Sequence, residues 1–331
     1  ILETVARLAY AEERPEAGLP PGENPFGADH PYRRFSIISM GKLGGYELNY
    51  SSDIDILYIC RIDDRGDEYR FYTYLARRIT NHLSSPSEEG ALYRVDLRLR
   101  PDGENGPLVI SIGDHLGYLQ LRARPWEKQA LLKARFSAGN TDIADEFIDN
   151  CNRILFGPVG GLDDISEIHT MRDRAVRGLP GRERESNIKL MWGGIRDIEF
   201  IAQALELVHG KARRDVRSRN TLETLERLRH FGLLEDDVWR SLSDSYRLLR
   251  TVEHRLQLIE NVQTHTVPTS DADLEILGGR VARSALERID ASHFRTELGK
   301  AISTVRDLFT SFFKGSPSGE IPLILSLPAG E

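Results

Sequence analysis

The spacing of apolar residues changes twice along the chain. Over residues 1–14, Leu2, Val5, Leu8 and Ala9 fall on one side of a helical period, which predicts an amphipathic helix. Residues 15–31 carry Pro15, Pro20, Pro21, Pro25 and Pro31 and read as a linker. From Phe35 the period shortens. Phe35-Ser-Ile-Ile-Ser-Met40 and Asp53-Ile-Asp-Ile-Leu-Tyr-Ile59 predict strands, interrupted by Gly41-Lys-Leu-Gly-Gly45. Phe71, Leu75, Ile79 and Leu83 return to helical spacing over 67–83. Residues 92–97 and 107–111 predict two more strands, with Pro101, Gly103 and Gly106 between them. Beyond residue 138 the spacing is helical throughout. Ile195, Ile198, Ala202, Leu205 and Val208 form one stripe. Leu222, Leu225 and Leu228 form a second, Leu248, Val252, Leu256 and Ile259 a third, and Ile302, Val305, Leu308 and Phe312 a fourth. The expected fold is α+β followed by all-α: a mixed-sheet domain over 32–138 and a helical bundle over 139–314. A helix and linker (1–31) precede them and a tail (315–331) follows.

Composition narrows the function. The 331 residues allow two cores, and 40% hydrophobic with 29% charged residues is the range of a soluble globular protein. No apolar run approaches the roughly 20 residues of a membrane span, and no basic-then-apolar leader opens the chain, so the expectation is a cytoplasmic protein with no membrane partner. The chain opens without methionine and inside a helix, as a piece of a longer protein would. Cys60 and Cys151 form no metal-binding pattern and read as free thiols. A net charge of −7 speaks against a nucleic-acid partner, whose phosphates reward a basic surface. It leaves room for a nucleotide, because a bound metal can supply positive charge locally.

The candidate chemistry lies in Gly44-Gly45 followed by Ser51-Ser52-Asp53-Ile54-Asp55. Strand side chains alternate, so Asp53 and Asp55 point one way and Ile54 the other. Two carboxylates on one strand face are costly unless a cation neutralises them, and hard oxygen donors at this spacing suit Mg²⁺. Asp96 sits between Val95 and Leu97 on another expected strand. If that strand lies beside the first, three carboxylates meet at a metal site. Gly44 and Gly45 would let backbone N–H groups approach phosphate, with the Ser51 and Ser52 hydroxyls as further donors. Phosphate held over metal is the arrangement of phosphoryl or nucleotidyl transfer. The plainer reading is a surface Asp pair that stabilises a turn. Asp271-Ala-Asp273, with no glycine turn and no apolar strand around it, reads as a solvated helix start.

Arg94, Asp96, Arg98 and Arg100 share one face at period two. Arg98 and Arg100 would either clamp phosphate or pair with the acids. Lys189 lies just before Gly193-Gly194, which opens a helix. Asp197 and Glu199, two apart on that helix, face about 200° from one another and so cannot enter one site together. Acids favoured at a helix N-terminus are the alternative explanation. His265 has no partner at metal-ligand spacing and reads as structural or solvent-facing.

Gly41-Lys-Leu-Gly-Gly-Tyr-Glu-Leu-Asn-Tyr-Ser-Ser-Asp-Ile-Asp55 resembles the signature of glutamine synthetase adenylyltransferase, the bifunctional adenylyl-transferring and adenylyl-removing enzyme. Arg94-Val-Asp-Leu-Arg-Leu-Arg-Pro101 with Gly106-Pro-Leu-Val109, Trp126-Glu127 with Lys133-Ala-Arg135, and Asn187-Ile-Lys-Leu190 with Gly193-Gly-Ile-Arg-Asp-Ile-Glu-Phe200 are similar to its later blocks. The resemblance implies a nucleotidyltransferase fold followed by a helical domain, repeated in the full-length enzyme. One half moves AMP from ATP to a tyrosine of glutamine synthetase, and the other removes it with phosphate, releasing ADP. It implies Asp53, Asp55 and Asp96 as catalytic metal ligands, and Gly44, Gly45, Ser51, Ser52, Arg98, Arg100 and Lys189 around the nucleotide and phosphate. A nitrogen-signalling regulatory protein would be a further partner. Arg196 and Gln263-Thr-His-Thr-Val-Pro268 are more similar to the removing half. Met191-Trp192 departs from the small residues usual before the Gly-Gly pair. The rival readings are transfer onto the tyrosine, nucleotidyl transfer to a small molecule, and a non-catalytic module that senses a regulator.

Overall fold

The structure, a computed structural model, describes residues 1–13, 34–62, 65–88, 90–157, 172, 176–178, 180–181, 183–260, 264–282 and 290–314. The expected linker 15–31, the tail 315–331 and Gln263 lie outside the described residues. Backbone contacts divide the chain into two compact units. Ile1–Leu48 with Ser52–Gly157 form the first, and Asn49–Ser51 with Pro158–Glu331 the second.

The first unit contains α1 (Leu2–Glu13), β1 (Phe35–Ser39), α2 (Gly41–Gly44), β2 (Ile54–Cys60), α3 (Asp67–Ser84), β3 (Val95–Asp96), β4 (Val109–Ser111), α4 (Ile112–Leu121), α5 (Pro125–Ala130), β5 (Arg135–Gly139) and α6 (Thr141–Leu155). The strands form one mixed sheet in the order β3-β2-β1-β5, with β4 also paired to β2. β1 runs antiparallel to β2 and β5, while β3 and β4 run parallel to β2 on its other edge. Phe35, Ile37, Ile54, Ile56 and Tyr58 share a core with α1 and α3, where the Phe35 ring stacks on Tyr58 at 5.8 Å and on Tyr72 at 5.3 Å. By alternation Ile38, Asp55, Leu57 and Ile59 take the opposite face. There α6 buries Ile143, Ala144, Phe147, Cys151 and Leu155.

Three features differ from the sequence expectation. β5 was not anticipated, because Arg135-Phe-Ser-Ala-Gly139 has only a weak apolar alternation and forms by pairing with β1. The strand expected over 92–97 contracts to Val95–Asp96, because the chain turns after Leu97. α6, expected in the helical domain, packs on the sheet, so the contact boundary falls at Gly157 and not at 138.

The second unit contains α7 (Glu183–Ser186), α8 (Ile195–Gly210), α9 (Thr221–His230), α10 (Asp236–Glu260), α11 (Asp271–Val281) and α12 (Ala291–Lys314), and no strand among the described residues. Each expected stripe lies on one of these helices. Ile198, Leu205, Leu225, Leu228, Val252, Leu256, Val305, Leu308 and Phe312 join one core. Asp271 and Asp273 open α11 behind the N-cap Ser270, as expected of a solvated helix start. Cys60 and Cys151 are buried and in no disulfide, and burial pushes the Cys151 thiol up. No helix of the described residues is long and apolar enough to cross a membrane.

Candidate active site

β2 sets the geometry of the acids. Its register with β3 puts Ile54 beside Val95 and Asp55 beside Asp96, and the Ile54 N–H donates to the Arg94 carbonyl at 2.9 Å. The parallel pairing thus brings Asp55 and Asp96 into adjacent positions of one ladder. Asp53 precedes the strand. All three are half-buried. Asp55 lies against Gly41, which has φ +51: a Cβ built there would stand 2.2 Å from Asp55 Oδ2. The Met40 N–H donates to the Asp55 carbonyl at 2.8 Å, which ties the start of α2 to β2.

The remaining glycines act differently from expectation. Gly41–Gly44 is one helical turn, and Gly44 is buried within it. A Cβ on Gly44 would stand 1.9 Å from the Lys133 carbonyl, so the absent side chain serves backbone packing. The Gly45 N–H, assigned to phosphate from sequence, donates to the Gly41 carbonyl at 3.2 Å. The Lys133 ammonium pairs with Glu47, both almost fully buried. Arg135 donates to the Leu43 carbonyl at 2.9 Å and to the Gly44 carbonyl at 3.1 Å. Reading single residues missed Glu47, Lys133 and Arg135 as the supports of this turn. The signal was the resemblance of Lys133-Ala-Arg135 to one of the family's blocks.

The arginines separate into two kinds. Arg98 grips Asp96 from Nε to Oδ1 at 3.0 Å and from Nη2 to Oδ2 at 2.6 Å, and its backbone N–H donates to the same Oδ1 at 2.8 Å. Those contacts, led by the guanidinium, hold the Asp96 carboxyl below the usual carboxylate range. Arg94 Nε donates to Asp53 Oδ1 at 2.6 Å. Arg100 instead donates to the carbonyls of Leu97 at 2.9 Å, Glu104 at 3.1 Å and Gly106 at 3.3 Å. It staples the 97–106 loop, a partner set that the sequence reading did not include. The period-two alignment of Arg94, Asp96, Arg98 and Arg100 ends with the short strand.

Ser51 is buried and groups with the second unit, while Ser52 is half-buried in the first. Lys189 belongs to the second unit. Its N–H donates to Asn187 Oδ1 at 3.2 Å, and its carbonyl accepts from the Arg196 N–H at 3.1 Å, on the turn that enters α8. Asp197 is buried, bound by Arg172 at 2.7 and 2.6 Å and by the Gly193 N–H at 2.8 Å. Glu199 points elsewhere and accepts from the Tyr246 hydroxyl at 3.0 Å. His265 Nδ1 lies 3.0 Å from Glu253 Oε1. Asp197, Glu199 and His265 therefore hold the helical unit together.

The first unit also has a cavity of about 290 Å³, lined by Leu2, Leu43, Ile54, Tyr93, Arg135 and Ser137. Ile54 alternates with Asp55, so this cavity is on the face away from the acids. The donor chemistry of the acids themselves suits a divalent cation. They are hard oxygen donors at neighbouring ladder positions, and Asp55 occupies space that only glycine leaves open. As they stand, Asp53 and Asp96 each face an arginine. Among the described residues no three His, Cys, Asp or Glu converge tightly enough to hold a metal ion.

Residues 1–150 match the family model described as glutamate-ammonia ligase adenylyltransferase, and residues 167–313 match that of GlnD PII-uridylyltransferase. Both are nucleotidyltransferase families. Relatives named bifunctional glutamine synthetase adenylyltransferase/adenylyl-removing enzyme are 38% identical in Streptomyces avermitilis and 38% in Streptomyces coelicolor, over 85% and 84% of this chain. The Methylococcus capsulatus relative is 37% identical over 85%. The chain belongs to this glutamine synthetase adenylyltransferase/adenylyl-removing family. It spans 28–30% of the length of these relatives, in keeping with one half of a two-half enzyme.

Proposed function

We propose that the chain is a divalent-metal nucleotidyltransferase that sets the adenylylation state of glutamine synthetase. Its reaction is phosphorolytic removal of AMP from an adenylyl-tyrosine. The observation that carries the reading is the parallel register of Asp55 with Asp96 beside the Gly41 cradle, in a chain whose relatives carry this name. The β-sheet unit is then a nucleotidyltransferase domain and the helical unit its bundle. Asp53, Asp55 and Asp96 would hold Mg²⁺, which supplies Lewis-acid neutralisation of the phosphate charge when bound.

The chain's own groups set the rest. Met40 N–H and Gly41 fix Asp55, β3 fixes Asp96, and the Glu47–Lys133 pair with Arg135 holds α2 over the strand. In the reaction an oxygen of inorganic phosphate attacks the adenylyl phosphorus. The bond to the tyrosine oxygen breaks, that oxygen takes up a proton, and ADP leaves. A tyrosine hydroxyl has a free pKa of about 10, so the oxygen leaves readily only once its charge is neutralised. The removing direction rests on the resemblance of Arg196 and of 263–268.

Transfer from ATP is the second reading, because the relatives are named for both activities and both reactions exchange groups at the same adenylyl phosphorus. Product analysis separates them. With adenylylated glutamine synthetase, phosphate and Mg²⁺, the chain should release ADP only when phosphate is present. Attachment of AMP to unmodified glutamine synthetase with pyrophosphate release, and no ADP from the modified form, would assign this chain to the transferring half.

A further inference from the structure

The candidate metal ligands Asp53 and Asp96 carry counter-ions of their own. Asp55 and Asp96 stand at paired ladder positions, where two carboxylates repel unless something positive intervenes. That charge comes from Arg98, whose planar fork takes both Asp96 oxygens. The two partners differ in their freedom. The Asp96 side chain is 16% exposed and is fixed by its strand, whereas the Arg98 side chain is 66% exposed on the turn that follows. The guanidinium can therefore leave by rotation of one solvent-facing side chain, while the Arg98 backbone N–H stays on Oδ1 and keeps the carboxylate in place. Arg100, two residues on, is bound to three backbone carbonyls and has no such freedom.

A divalent cation at this site needs the oxygens that Arg98 now holds, and two cations on one carboxylate edge repel each other. The released guanidinium keeps the fork geometry that matches phosphate as well as carboxylate. We infer that Arg98 is an exchangeable counter-ion: it neutralises Asp96 until a cation binds, yields it to the divalent cation, and turns to a phosphate oxyanion. The inference rests on the metal-site reading above, and it makes loading of metal and oxyanion mutually reinforcing.

Calorimetric titration with Mn²⁺ alone, on the folded chain without protein substrate, tests the exchange. Arg98→Gln removes the competitor and should bind Mn²⁺ about fivefold more tightly than wild type, a modest gain because the ion pair is exposed. Arg98→Lys keeps the charge, loses the fork and should fall between. Asp96→Asn should lose the binding in either background. Inorganic phosphate or ADP should tighten Mn²⁺ binding to wild type, and far less to Arg98→Gln. An effect of phosphate alone names the free anion as the oxyanion, and an effect of ADP alone names the nucleotide. If Arg98→Gln binds Mn²⁺ no more tightly than wild type while Asp96→Asn abolishes binding, the exchange is wrong and the metal site stands. Coupling to phosphate or ADP undiminished in Arg98→Gln would remove the oxyanion half. No Mn²⁺ binding by wild type or Arg98→Gln would overturn both the inference and the metal site.

Discussion

The α-carbon of Gly41 is the surface against which the Asp55 carboxylate rests: a single methyl added there would stand 2.2 Å from Asp55 Oδ2. Gly41→Ala therefore strikes the candidate site directly and also places a Cβ at φ +51, a conformation that costs about 1 kcal/mol for a non-glycine residue. The expected result is a folded protein whose turnover falls about a hundredfold or more, since misplacement of a reacting group by an ångström costs that much. Steady-state kinetics beside far-UV circular dichroism reads it. Wild-type turnover in this variant would remove Asp55 from the mechanism.

Gly44 and Gly117 make a matched pair for stability. A Cβ on Gly44 meets the Lys133 backbone at 1.9 Å, whereas one on Gly117, within α4, meets nothing within 4 Å. Gly44→Ala should destabilise by about 3 kcal/mol through overpacking. Gly117→Ala should stabilise by roughly 0.5–1 kcal/mol through helix propensity. Chemical denaturation of the two variants gives opposite signs if the packing of α2 is as described.

Asp197→Ala tests whether that acid is structural. Its removal strands the buried Arg172 guanidinium, which also lies 3.3 Å from the Trp192 ring. The expected loss is about 3–5 kcal/mol in the helical unit. Asp197→Asn, which keeps one acceptor oxygen, should lose less. A stable but inactive Asp197→Asn would give the residue a catalytic role instead.

The pH dependence of stability has a marked contributor in His115. Burial against Phe147 pushes its pKa down from 6.5 to about 4. The unfolded chain then binds a proton that the folded one refuses between these two values. Stability should be full above pH 6.5 and fall as the pH drops towards 4, by at most about 3 kcal/mol from this residue. His115→Phe should flatten that window in thermal melts followed from pH 7 to 4. An unchanged slope would mean other groups carry it.

Much of the fold was legible because long periodic stretches decide their own structure. The stripes of α8, α9, α10 and α12 and the apolar runs of β1 and β2 needed no tertiary information. β5 was hidden because Arg135-Phe-Ser-Ala-Gly139 owes its extended form to β1. The expected strands already carried Asp55 and Asp96, and the β2–β3 register sets those two side by side, whereas Asp53 falls just before β2. Pairing of Arg98 with an acid was one of its two readings, while the carbonyl partners of Arg100 were not legible. Both are arginines in one block, and only the turn after Leu97 sends one to a carboxylate and the other to three carbonyls. Gly44 shows the same limit: a glycine needed for packing and one needed for phosphate look identical in sequence.

The central claim is that Asp55 and Asp96 perform metal-dependent nucleotidyl transfer. Its most direct test is the release of ADP from adenylylated glutamine synthetase by wild type, Asp55→Asn and Asp96→Asn, at saturating phosphate and Mg²⁺, with each variant's fold checked by circular dichroism. The expected result is phosphate-dependent ADP from wild type and a loss of about a thousandfold or more in each folded variant, the scale of removing a principal electrostatic stabiliser. Near-wild-type release from either variant would contradict it.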